Sequence, residues 1–213
     1  MIIKLTDILS GKDDIESISD YLMHGGIMVY PTDTVYGIGC NAFDTSAVEM
    51  IVSVKQREQK KPLIILVRDK EMLQQMVRDI GTDTDDLINR FWPGPLTIVF
   101  KARSSINKLL TVNTGTIAVR QSSHPFIEYL FKTFEYPLVS TSANISNETP
   151  ASSIDELNPA IVNKVDLIID GGRINKTPST VVDATSRKIK YIREGKIKKN
   201  TIERFLHDRD KSI

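Results

Sequence analysis

The chain has little that would tie it to a membrane, a metal or an oxidising compartment. A single cysteine, Cys40, stands among 213 residues and cannot close an internal disulfide. No apolar run approaches the roughly 18 residues that a membrane-spanning helix needs, and the opening MIIKLTDILSGKDD has neither the apolar core nor the cleavage pattern of a signal peptide. A cytoplasmic protein with no membrane partner is the expectation. An excess of one charge is missing too. Lysine and arginine number 28 against 27 aspartates and glutamates, which gives no whole-chain reason for tight nucleic-acid binding but leaves room for a local basic patch. The three histidines, His24, His124 and His207, lack metal-ligand spacing, so no protein metal site is expected. What is present is 40% apolar residues, enough for a sizeable core.

The apolar pattern alternates between helix and strand. Ile15, Ile18, Leu22 and Met23 share a helical face, and Gly25-Gly26 stops that helix before the run Ile27-Met28-Val29-Tyr30. Ser46 and Glu49 have capping-box spacing for a helix through Val48, Ile51, Val52 and Lys55. Asp69 can cap a helix carrying Met72, Leu73, Met76 and Val77, and Pro93-Gly94-Pro95 stops another at Trp92. A further helix reads over 125–134, and strands over 63–67, 96–101, 116–120, 137–141, 166–170, 179–183 and 188–193. Helical crossovers favour parallel neighbours, whereas the few residues between the last two strands favour an antiparallel pair. The prediction is a single α/β domain over 1–213 with a twisted mixed sheet flanked by helices. Its core runs over about 15–195, with an amphipathic closing helix in the tail 196–213.

One strand ends unusually. PLVSTSANIS begins as a buried run and then breaks into Ser140, Thr141, Ser142, Asn144 and Ser146. In open α/β sheets ligands gather where strands end, and small hydroxyls and amides approach an oxygen-rich ligand closely. Thr34, Lys55, Arg57, Lys61, Arg120, Ser179 and Thr180 lie in comparable loops or strand exits, and together they suggest an anionic ligand. Each feature has a second reading: Lys55 and Arg57 can neutralise a helix C-terminus, and Ser-Thr-Ser-Ala-Asn can form a turn that satisfies its own backbone. Two phosphate motifs do not fit. Gly37-Ile-Gly39-Cys-Asn-Ala42 has dinucleotide spacing but its helix starts too late, and GGRINKT lacks the glycine before lysine. No Gly-x-Ser-x-Gly elbow is present.

Several ordered segments carry a family resemblance. Pro31-Thr-Asp-Thr-Val-Tyr-Gly37, Lys55-Gln-Arg57, Lys61-Pro62-Leu63, Trp92-Pro-Gly-Pro-Leu-Thr97, Ala118-Val-Arg120, Ser140-Thr-Ser-Ala-Asn144 and Ser179-Thr-Val-Val-Asp183 resemble the YrdC-like family of threonylcarbamoyl-AMP synthases, in its short single-domain form. The resemblance implies a fold with a concave basic cavity and a nucleotidyltransferase reaction: L-threonine, bicarbonate and ATP give threonylcarbamoyl-AMP and pyrophosphate. Transferase proteins then pass the activated group to a tRNA adenosine. It further implies catalytic roles for Lys55, Arg57, Ser142 and Asn144. ATP would meet Arg57, Lys61, Thr116, Ser142 and Arg193, whereas threonine would meet Thr34, Arg120, Ser140 and Ser179. Mg²⁺ would arrive mainly on the ATP phosphates, with Asp33 at most an outer-shell helper. Where many members end Lys-Pro-Leu-Ile-Val on histidine, this chain has Leu66, so that threonine contact does not carry over. The alternatives are a module binding structured RNA weakly on the same surface, and a carbamoyl or acyl transferase acting on another amino acid.

Overall fold

The protein is described by a computed structural model covering residues 1–55, 63–146, 148–174 and 177–210. Its first half runs β1 (Ile2–Lys4), α1 (Leu5–Leu9), α2 (Ile15–Met23), β2 (Met28–Tyr30), β3 (Gly37–Gly39), α3 (Thr45–Val54), β4 (Ile64–Leu66), α4 (Lys70–Met76), α5 (Thr82–Phe91) and β5 (Leu96–Lys101). The second half runs α6 (Lys108–Thr111), β6 (Thr116–Arg120), α7 (Pro125–Leu130), β7 (Leu138–Ser142), α8 (Pro159–Val162), β8 (Leu167–Asp170), β9 (Thr180–Asp183), β10 (Lys190–Arg193) and α9 (Lys199–Asp210).

Among the described residues the strands form one sheet in the order β1-β8-β2-β3-β7-β4-β6-β5-β9-β10. It is mixed, as the connection lengths predict: β1, β2, β4 and β5 each have a parallel neighbour, and the closely spaced β9 and β10 are antiparallel. The central strands are apolar because one of their faces is sealed by the core. Ile65, Ile98, Ile117, Val119 and Val139 are fully buried and join one continuous cluster with Phe100, Phe126 and Phe134. Burying each such side chain contributes about 1.5–3 kcal/mol, and alternation along the strands sends the neighbouring residues to the other face.

Local chemistry departs from expectation in a few places. Helix α3 starts one residue before Ser46, and its N-cap is Asp44, whose Oδ1 accepts from Ala47 N at 2.9 Å, so the Ser46/Glu49 box is not used. Asp69 caps α4 as expected, accepting from Met72 N at 2.8 Å. Strand β3 occupies the Gly37-Ile-Gly39 that mimics a dinucleotide fingerprint. Its glycine at 39 is required by close approach, since a Cβ there would sit 2.1 Å from the Val139 carbonyl oxygen and 2.9 Å from the Tyr30 hydroxyl. The strand expected over 188–193 is confined to β10, and the helix over 125–134 ends at Leu130. In the tail, α9 begins at Lys199 and packs through buried Ile202 and a Phe205–Phe91 edge contact at 5.7 Å.

Candidate active site

Opposite the sealed face, the sheet floors a cavity of about 540 Å³. Strand register explains its lining. Ile64 stands opposite Ser140 on one side and Ala118 on the other, and Ala118 stands opposite Val99, so these four residues form a row across β7, β4, β6 and β5. Leu66 is opposite Arg120, and Thr97 is opposite Val181. The floor is therefore small and apolar, with polar groups gathered at its ends.

One end is built on the buried Arg120, at the end of β6. Its Nη1 donates to Thr34 Oγ1 at 3.0 Å, and its Nη2 pairs with Asp33 Oδ1. Burial pulls the Arg120 pKa below the ordinary guanidinium value, with the Asp33 charge opposing the shift. Thr34 is held in turn by Thr32, whose Oγ1 accepts from the backbone N of Thr34 at 3.1 Å and of Val35 at 3.2 Å. Next to this end, Thr97 and Ser179 exchange a hydroxyl hydrogen bond of 2.8 Å across β5 and the start of β9. Arg193 closes the corner, donating from Nη2 to the Ser179 carbonyl at 2.9 Å and to its hydroxyl at 3.3 Å. Burial lowers the Arg193 pKa as well.

The other end is organised by Lys55, only 2% exposed at the C-terminus of α3. Its ammonium donates to the carbonyls of Ser142 and, at 2.8 Å, Asn144. Its own carbonyl accepts from Ser146 N at 3.1 Å. Among the described residues pairing with β4 ends at Ser140, and Lys55 holds the carbonyls of Ser142 and Asn144 beyond it. Asn144 Nδ2 donates to the carbonyls of Ile145 at 2.8 Å and Glu148 at 2.7 Å, which leaves its buried Oδ1 without a donor among the described residues.

Thus Thr34, Arg120, Ser140 and Ser179 line the same cavity as Lys55, Ser142, Asn144 and Arg193. Thr116 does not reach it: it starts β6, at the opposite end from Arg120, and shares a 2.8 Å hydroxyl contact with Thr114. Arg57 and Lys61 lie outside the described residues. Two contacts go beyond the sequence reading: the Lys55 ammonium donates to two carbonyls, and Arg193 and Ser179, expected at different ligands, hydrogen-bond to each other. The 171–174 part of GGRINKT is irregular chain, with Gly172 at φ +71° and Tyr36 Oη donating to its carbonyl at 2.7 Å. Thr97 and Ser146 also line the cavity, although the sequence reading assigned neither of them a ligand. Thr97 had a readable signal, a lone hydroxyl alternating with Val99 on one face of a strand. Ser146 stood in the hydroxyl run after β7, but its partner, the carbonyl of Lys55, could not be read from the local sequence.

The family model Sua5_yciO_yrdC, described as telomere recombination, matches residues 20–195. A threonylcarbamoyl-AMP synthase of Pyrococcus abyssi is 32% identical over 208 residues, covering 95% of this chain and 61% of its own length. The crystal structure of P. abyssi Sua5 complexed with L-threonine superposes with a TM-score of 0.88 at 31% identity, over 96% of this chain and 60% of that one. E. coli YciO superposes with a TM-score of 0.80 at 26% identity, over 93% and 96% of the two chains. The chain thus spans about three-fifths of the P. abyssi protein. With most of its length matched by the family model and the sheet shared with these structures, the chain belongs to the Sua5/YciO/YrdC family.

Proposed function

We propose that the chain forms threonylcarbamoyl-AMP from L-threonine, bicarbonate and ATP, releasing pyrophosphate. The observation that carries this reading is the course of β7, which delivers Ser140 toward the Arg120 end and Ser142 and Asn144 to the Lys55 end of one cavity. Two ligands can then meet along a shared wall. The naming of the P. abyssi relative as a threonylcarbamoyl-AMP synthase and the threonine complex of P. abyssi Sua5 support the choice of substrates. Among the described lining residues Lys55, Arg120 and Arg193 are cationic and none is acidic, which favours anions.

In this reading Arg120 and Thr34 take the threonine carboxylate, with Ser140 and Ser179 beside them. Threonine's amine condenses with bicarbonate to a carbamate, with loss of water. A carbamate oxygen attacks the α-phosphorus, the bond to the bridging oxygen breaks, and pyrophosphate leaves with the electron pair. Two anions approach one another in this step, so fixed donors and cations lower its barrier. Arg57 and Lys61 take the phosphate charge on the strength of the family resemblance, and Arg193 stands at the junction of the two ligands. Lys55 sets the path of 142–146, so that the Ser142 hydroxyl and the Asn144 amide are presented at fixed positions. Among the described residues no cluster of three or more acidic, histidine or cysteine side chains could cage a metal. Hydroxyls, carbonyls and an amide suit a hydrated Mg²⁺ carried on the triphosphate, where it would offset phosphate charge. The product would go to proteins that modify tRNA.

The test is pyrophosphate release with each substrate omitted in turn, the adenylate being identified by mass. Release that requires all three substrates is expected. Salt-sensitive RNA binding without such release would favour the RNA-binding alternative, and release with another amino acid would point to a different transferase.

A further inference from the structure

We propose that Asp33 is a positioning residue that fixes the Arg120 guanidinium from behind, so that its other side is presented to the carboxylate of the amino-acid substrate. This rests on the threonine-binding reading above. Arg120 and Thr34 line the cavity, whereas Asp33 does not. The side chains of Arg120 and Asp33 are 4% and 12% exposed, so the charge of Arg120 is compensated inside the protein rather than by water. The contact is one-pronged. Asp33 Oδ1 accepts from both Arg120 Nη2 and Ser122 Oγ, while Asp33 Oδ2 and Arg120 Nε have no partner among the described residues. A two-pronged pair would consume one whole edge of the guanidinium fork. Here Asp33 holds a single nitrogen and Thr34 holds the other at 3.0 Å.

The support is itself braced. Lys196 Nζ donates to the Asp33 carbonyl at 2.6 Å, and Ser122 Oγ accepts from His124 N at 3.3 Å while donating to the carboxylate. The end of β6 and the chain just after it thus meet the Asp33 carboxylate, and the segment after β10 holds the Asp33 backbone. Asp33 acts through Arg120, by supplying the counter-charge and the angle at which the fork is held.

The experiment compares the wild type with Asp33→Asn, Arg120→Gln and the double variant. Asp33→Asn should raise the threonine KM about 10- to 100-fold, with the ATP KM changed less than about twofold, because a charged hydrogen bond at one ligand is lost. In the double variant the loss should barely exceed that of Arg120→Gln alone. Unchanged threonine KM, or losses that multiply, would overturn the proposal. A readout free of turnover accompanies it: the ¹⁵N–H signal of Arg120 Nε, assigned by its loss in Arg120→Gln, should be sharp in the wild type and exchange-broadened in Asp33→Asn. If it stays sharp, the positioning role is wrong whatever the substrate. Absence of threonine-dependent pyrophosphate release in the wild type, with the signal broadened as expected, would instead refute only the functional reading. Should Asp33→Asn not fold, Ser122→Ala loosens the same carboxylate and should raise the threonine KM about three- to tenfold. No change there would overturn the proposal too.

Discussion

Replacing Lys55 by methionine separates two roles that a buried cation in this cavity can have. Methionine keeps most of the apolar stem and removes the ammonium. The ammonium holds two backbone carbonyls, of Ser142 and Asn144, in a setting where Lys55 is only 2% exposed. Hydrogen bonds from a charged donor contribute about 1.5–3 kcal/mol each, and carbonyls left without a donor stay costly. Relief of the buried ammonium's desolvation offsets part of this loss, which places the net destabilisation at roughly 3 kcal/mol. For a chain of this size each kcal/mol moves the melting temperature by about 2–4 °C, so Lys55→Met should melt about 6–12 °C lower. Pyrophosphate release, measured well below that melt, should fall because 142–146 no longer holds its path. If Lys55→Met loses turnover but melts within about 2 °C of the wild type, the reasoning is refuted and the ammonium acts on the substrate itself.

Other expectations follow from single observations. Gly39→Ala forces a Cβ to within 2.1 Å of the Val139 carbonyl oxygen, and chemical denaturation should show a loss of about 3 kcal/mol or more; a loss under about 1 kcal/mol would show that β3 and β7 can separate freely. Thr116→Val should leave kcat and the ATP KM within about twofold, since that hydroxyl lies outside the cavity and one lost exposed hydrogen bond contributes little; a tenfold loss would place it at the nucleotide after all. Burial lowers the pKa of His124, the N-cap of α7, with the Asp33 charge opposing the shift and Arg120 adding to it, so the unfolded chain binds the extra proton first as pH falls. Stability should therefore drop as pH falls through about 6.5, the ordinary histidine value, and His124→Gln should flatten that part of the profile in urea titrations at several pH values; an unaltered profile would exclude this origin.

The strands that form the middle of the sheet were legible because their signal is local. Leu96–Lys101 and Thr116–Arg120 have the same boundaries in sequence and structure, since an apolar run with a turn on each side needs no distant partner to declare itself. Strands β1 and β3 were not legible. The first is three residues at a sheet edge, and the second is mostly glycine, whose reason for being there is the carbonyl of Val139, a hundred positions away along the chain. The same division runs through the site. Arg120 and Ser140 could be picked out as polar groups at strand exits, but Asp33, in the same motif as Thr34, gave no sign that it would sit behind the arginine.

By itself the sequence determined which segments must be buried and which polar side chains would stand where strands end, because periodicity and residue chemistry act over a few positions. Only the tertiary structure decided what those groups do to one another. β7 lies between β3 and β4, and at its end a lysine 87 positions earlier holds the Ser142 carbonyl. Strand order and register set that meeting, and they follow from burying the whole sheet at once rather than from any local stretch of chain.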